Sequence, residues 1–206
     1  MLLRKSGIWG TLAVAGLLVS GAAGAAISGS SHDFTGGGTV NLTAQGANTM
    51  CAACHTPHAG ARNLDNNDSP LWDRTASVQA FTAYDSDTMQ HTAGVPTGVS
   101  LLCMSCHDGT VALDSFGGAT GGITIAAGFI RAADMNNDHP IGFLYNGAIA
   151  GDGGLVATAT VAAAGVLDTA GNVQCSSCHD VHNDLEAAAG LPQVEFATLC
   201  QTCHAK

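Results

Sequence analysis

The sequence predicts a mostly coil fold with few short helices and strands, organised around cofactors in place of an ordinary side-chain core. Three observations carry that expectation. The 206-residue chain holds 27 glycines but only 5% aromatic residues, so little bulky apolar surface is available to offset the chain entropy lost on folding. All 8 cysteines fall into copies of one short pattern: Cys51-Ala-Ala-Cys54-His55, Cys103-Met-Ser-Cys106-His107, Cys175-Ser-Ser-Cys178-His179 and Cys200-Gln-Thr-Cys203-His204. Between the copies lie loop-forming stretches such as Gly36-Gly37-Gly38, Asn66-Asn67-Asp68-Ser69-Pro70, Gly117-Gly118, Gly121-Gly122 and Gly151-Asp152-Gly153-Gly154, which punctuate the chain with turns.

From the N-terminus, Arg4 and Lys5 precede an uncharged apolar run that ends in Ala23-Gly24-Ala25. This predicts a secretory signal peptide over residues 1–25, with an A-x-A cleavage site. Gly10, Gly16, Ser20 and Gly21 interrupt the run, which is short for a membrane span. No cysteine stands near the cleavage site to carry a lipid, so the expected product is exported and soluble, with no membrane anchor. Once Arg4 and Lys5 leave, Arg62, Arg74, Arg131 and Lys206 face 16 Asp+Glu. Such a surface cannot neutralise phosphates, which excludes nucleic acid as a partner.

The mature chain divides into a first unit over residues 26–120 and a second over 121–206, with the composition shift at Gly117 to Gly122 as the boundary. Short helical turns are expected at Val111 to Phe116 and around Asp184 to Ala189. Val156 to Val166 alternates Val, Ala and Thr and is open to an edge strand or a helix.

C-x-x-C-H is the attachment sequence of c-type haem. Two thiols at i and i+3 meet the two vinyl positions of one porphyrin edge, and the next histidine can turn its imidazole onto the iron. Disulfides or zinc could use the C-x-x-C pairs but leave the histidine unexplained. With 9 histidines in 206 residues, its recurrence after all four pairs has a chance probability on the order of 10^-6. The expectation is therefore a multihaem c-type cytochrome with a haem-organised core: four covalent c-type haems held by Cys51, Cys54, Cys103, Cys106, Cys175, Cys178, Cys200 and Cys203. His55, His107, His179 and His204 are its first iron ligands.

His32, His58, His91, His139 and His182 remain as candidates for the second axial positions. An internal repeat sorts them. Each half of the chain carries a lone upstream histidine (His32, His139), then a C-x-x-C-H-x-x-H (ending in His58, His182), then a Leu-C-x-x-C-H. His91 has no counterpart and is the expected non-ligand. Met50 and Met104, tied to haem motifs, compete as ligands in principle, but one spare histidine per haem makes them unnecessary. Irons capped on both sides by imidazole have no vacancy for a reactant, so electron transfer is expected and enzymatic activity is not. Asp108, Asp114, Asp138 and Asp180 stand close to the motifs, where they could orient imidazoles, tune potentials or simply cap turns.

His58 and His182 each lie three residues beyond a histidine already on iron, in a segment pinned by thioether links to its own porphyrin. Each should therefore reach a different haem. His182 has such a neighbour within the chain. For His58, near the mature N-terminus, a haem of another molecule is a candidate target.

Taken together, His32-Asp33-Phe34, Cys54-His55-Thr56-Pro57-His58, the run Cys106-His107-Asp108-Gly109-Thr110-Val111-Ala112-Leu113-Asp114-Ser115-Phe116-Gly117-Gly118, Asp138-His139-Pro140 and Cys178-His179-Asp180-Val181-His182-Asn183 resemble the OmcE-like tetrahaem c-type cytochromes of metal-respiring microbes. The likeness extends from the cleavage site to Cys203-His204-Ala205-Lys206. It implies a homopolymer: a secreted filament, exported through the periplasm to the cell surface or beyond, that carries electrons along a continuous haem chain to redox partners and extracellular acceptors. It also implies that one axial histidine crosses between subunits, at the position of His58. On that basis His58 would serve a haem in the C-terminal half of the next subunit and His182 the first haem of its own chain. His32 and His139 would serve the two Leu-C-x-x-C-H haems. A surplus histidine such as His91 departs from the family count. The alternative is a monomeric periplasmic tetrahaem electron shuttle, which needs no bridging ligand.

Overall fold

Glycine-rich breaks keep every regular element short. The computed structural model describes residues 27–55, 71–89, 91–131, 133–151, 153–182 and 196–205; the expected signal peptide, His58 and the helical turn near Asp184 lie outside them. Among the described residues the helices are α1 (Gly98–His107), α2 (Gly147–Ala150), α3 (Thr158–Ala163) and α4 (Phe196–Cys203), with 3-10 turns at Thr43–Gln45, Ala127–Phe129 and Cys175–Ser177. The sheet is one antiparallel pair, β1 (Phe143–Leu144) with β2 (Asn172–Val173), in the register Phe143 to Val173 and Leu144 to Asn172. Isolated bridges supply the remaining ladder contacts, among them His55 with Trp72, Arg74 with Phe116 and Leu155 with His204. Among the described residues the structure has the mostly coil, low-regularity character that the sequence predicts.

α1 is the longest element because Val99 to His107 contains neither glycine nor proline. It stops where Gly109 takes φ +75, donating its N–H to Cys106 O at 3.1 Å while Asp108 N donates to Met104 O at 3.2 Å. A left-handed residue at this place is easiest for glycine. The second C-x-x-C-H therefore lies inside a helix.

The helical turn expected at Val111 to Phe116 does not form. Asp114 Oδ1 accepts the N–H groups of Gly122 and Ile123 at 2.9 and 2.8 Å, and Leu113 N donates to Ile123 O at 2.7 Å. The segment bonds to a passing loop, which a helix would forbid. In the open stretch 156–166 the helix wins: α3 spans Thr158–Ala163 with Val161 fully buried, because alanine favours helix.

Two small side-chain clusters lie behind the cysteine motifs, in addition to the interior expected from cofactors alone. Phe34, Leu42, Ala47, Ala53, Leu113 and Phe116 form one, with Cys106 against it; Tyr145, Ile149, Val161, Val166 and Val173 form the other, with Cys203 against it. Gly94 and Gly142 let two loops touch through bare backbone: Gly94 N donates to Ile141 O at 3.0 Å, and a Cβ on Gly142 would lie 3.0 Å from the Gly94 carbonyl carbon.

Candidate haem-binding site

Each C-x-x-C-H is one helical turn. Cys54 N and His55 N both donate to Cys51 O, at 3.1 and 2.8 Å, and Cys178 N and His179 N to Cys175 O, at 3.2 and 3.0 Å. The second motif closes α1, and the fourth ends α4 with His204 N on Cys200 O at 2.8 Å. Residues three and four apart share one side of a turn, so each turn offers two thiols and one imidazole to the same space. None of the eight cysteines is in a disulfide. Burial pushes the Cys54 thiol up to about 12 and raises those of Cys106, Cys178 and Cys203. An uncharged sulfur in apolar surroundings suits a neutral thioether.

Among the described residues, folding brings His32, His139 and His182 each up to a motif histidine. The ring centroids of His32 and His107 are 6.1 Å apart, those of His55 and His182 6.3 Å, and those of His139 and His204 6.2 Å. Two imidazoles bound to opposite sides of one metal, each at about 2 Å with the ring centre roughly 1.1 Å further back, would have centroids about 6.2 Å apart. The donor set and the spacing both fit an iron between the rings of each pair.

The outer ring nitrogens of three of these histidines fit as well, while His32 Nδ1 is buried with no hydrogen-bond partner among the described residues. His107 Nδ1 lies 2.8 Å from Phe129 O and His139 Nδ1 2.9 Å from Pro140 O, while His182 Nδ1 is 3.4 Å from Asp180 Oδ1. An Nδ1 that donates to an oxygen leaves Nε2 as the free ligand and fixes the ring's orientation. His32 is lowered to about 4, first by burial and then by His107, His182 and His179. It is held as the neutral imidazole a metal requires. Of the four candidate aspartates, Asp180 meets an imidazole. Asp108 accepts from Ser77 Oγ and Thr110, and Asp114 braces the loop at Gly122. Met104 is buried within α1.

The second and third motifs are packed together. Cys175, beside it, and burial together raise the Cys103 thiol. Ser100 Oγ donates to Gln174 Oε1 at 2.5 Å and accepts from Cys175 N at 2.9 Å, and Gln174 Nε2 reaches Thr97 Oγ1 at 3.1 Å and Asp168 Oδ2 at 3.2 Å. Gln174 carried a sequence signal: Leu102 and Leu199 occupy the same place before the second and fourth motifs. Trp72, edge-on to His55 at 5.7 Å, and the buried pair Asp73 and Arg74 lay in no motif and were not foreseen. His91 is half-buried beside a cavity of about 480 Å³ lined by Tyr84, Asp85 and Met89.

No curated protein matches the chain. Residues 169–206 match the family model described as a doubled CXXCH motif. That doubled motif and the eight cysteines indicate covalently bound c-type haem, of the kind multihaem c-type cytochromes carry.

Proposed function

We propose that the mature chain binds four c-type haems, each ligated by two histidines, and polymerises outside the cell into a filament that conducts electrons. Three imidazole pairs at 6.1–6.3 Å carry this reading, since a ring on each side of an iron favours electron exchange and leaves no position for a reactant. The chain is accordingly a conductor and not an enzyme.

The polymer follows from the repeat. His182, three residues beyond His179, pairs with the first-motif histidine His55. His58 holds the equivalent place beyond His55. With His32, His139 and His182 committed to other motifs, His58 is the ligand the repeat leaves for the haem of His179. Residues 51–58 are tied to the first haem by Cys51 and Cys54, and His182 caps that haem's other side. A neighbouring copy supplies the reach, so each contact between copies completes an iron site and extends the haem chain.

His58→Ala tests this. The filament reading predicts that secreted protein changes from polymer to single particles under negative stain, and that one haem in four becomes high-spin. A polymer unchanged by the substitution would overturn the bridging role of His58, and monodisperse particles already in the wild type would overturn the filament and support a periplasmic shuttle.

A further inference from the structure

Arg74 is one of very few cations in the chain and is only 1% exposed. A guanidinium keeps its proton in any protein environment, so a full positive charge stands in the interior. Arg74 Nη1 donates to Ala53 O at 3.0 Å and Leu113 O at 2.7 Å, and Nη2 to Ala112 O at 2.9 Å. Ala53 lies between the cysteines of the first motif, and Ala112 and Leu113 follow the second. All three partners are carbonyl dipoles, and Nε has no acceptor among the described residues. The charge is solvated by these bonds without being neutralised by any of them.

Two carboxylates oppose it from nearby: Asp73, fully buried with Oδ2 toward Gly117, and Asp108 beside Cys106. The guanidinium reaches the first motif itself through Ala53 O and the segment leaving the second through Ala112 O and Leu113 O.

We propose that Arg74 is a fixed internal charge that raises the reduction potentials of the haems held by the first and second motifs and makes them the higher-potential pair. This rests on the haem reading above. A ferric iron that accepts one electron loses one unit of positive charge, so a buried cation nearby favours the reduced state. Burial shields Arg74 from counter-ions, so the bias persists in salt. The same three bonds tie the two attachment segments together, giving Arg74 a structural role that the test must separate.

Haem-loaded Arg74→Gln and Arg74→Lys chains are titrated potentiometrically after haem content and low-spin state are checked. Arg74→Gln lowers the midpoints of two haems by about tenfold in the ferrous to ferric ratio at fixed potential, about 59 mV each, while Arg74→Lys leaves them near wild type. A fully loaded, low-spin Arg74→Gln chain with unchanged midpoints overturns the proposal. If Arg74→Gln loads fewer haems, the wild-type titration decides. The haems whose low-spin signals vanish in His182→Ala and His32→Ala must be the upper pair, and finding them in the lower pair overturns it. Failure of the haem reading would show separately, as a wrong haem count or spin state in the wild type.

Discussion

Ser100→Ala removes one oxygen from between the second and third motifs and leaves two buried groups without a partner. Ser100 is fully buried and Gln174 is 1% exposed. The substitution deprives Cys175 N–H of its acceptor and Gln174 Oε1 of its donor. An orphaned buried polar group costs about 1–3 kcal/mol, so the pair should cost roughly 2–5 kcal/mol, or about 5–15 °C in melting temperature for a chain of this size. Thr97 and Asp168 hold Gln174 in place through Nε2, so its Oε1 stays where the missing hydroxyl was. Guanidinium unfolding of the haem-loaded chain measures the loss, and haem content should stay at the wild-type value because the thioethers do not depend on Ser100. Adding Gln174→Leu removes the stranded acceptor, so the double variant should lose less than the sum of the singles by about 0.5–3 kcal/mol. A Ser100→Ala loss under about 0.5 kcal/mol, or strictly additive singles, would refute the view that this bond network joins the two motifs.

Two further outcomes are expected. His91→Ala should leave every haem low-spin and the ultraviolet-visible spectrum unchanged; appearance of a high-spin band would place His91 on an iron. Leu42→Ala, at a position with 0% exposure in the cluster behind the first motif, should cost about 2–5 kcal/mol by denaturant melts with haem content retained, and a neutral result would mean that cluster carries no folding energy.

The cysteine spacing made the local structure of the motifs legible, since two thioethers and one iron ligand must share a side of a single turn. The shortness of the elements followed from glycine placement, as at Gly109. The segment after His107 was misread because Val111 to Phe116 has acceptable helix composition, and nothing local says that the Asp114 carboxylate will seize the N–H groups of Gly122 and Ile123. That choice is tertiary. Met135 stands in a polar stretch yet is buried, again through contacts distant in sequence. Arg74 was invisible for the same reason: one arginine in a loop reads as solvated until the carbonyls of Ala53, Ala112 and Leu113 close around it. Gln174 could have been found, because it breaks the leucine that precedes two of the other motifs.

Low-temperature electron paramagnetic resonance of the oxidised, haem-loaded chain, calibrated against pyridine haemochrome counts, tests the central claim most directly. The account predicts four haems per chain, all low-spin with two imidazoles, and one high-spin centre in each of His32→Ala, His139→Ala and His182→Ala. A five-coordinate centre in the wild type, or any of the three variants with all its haems still low-spin, would contradict it.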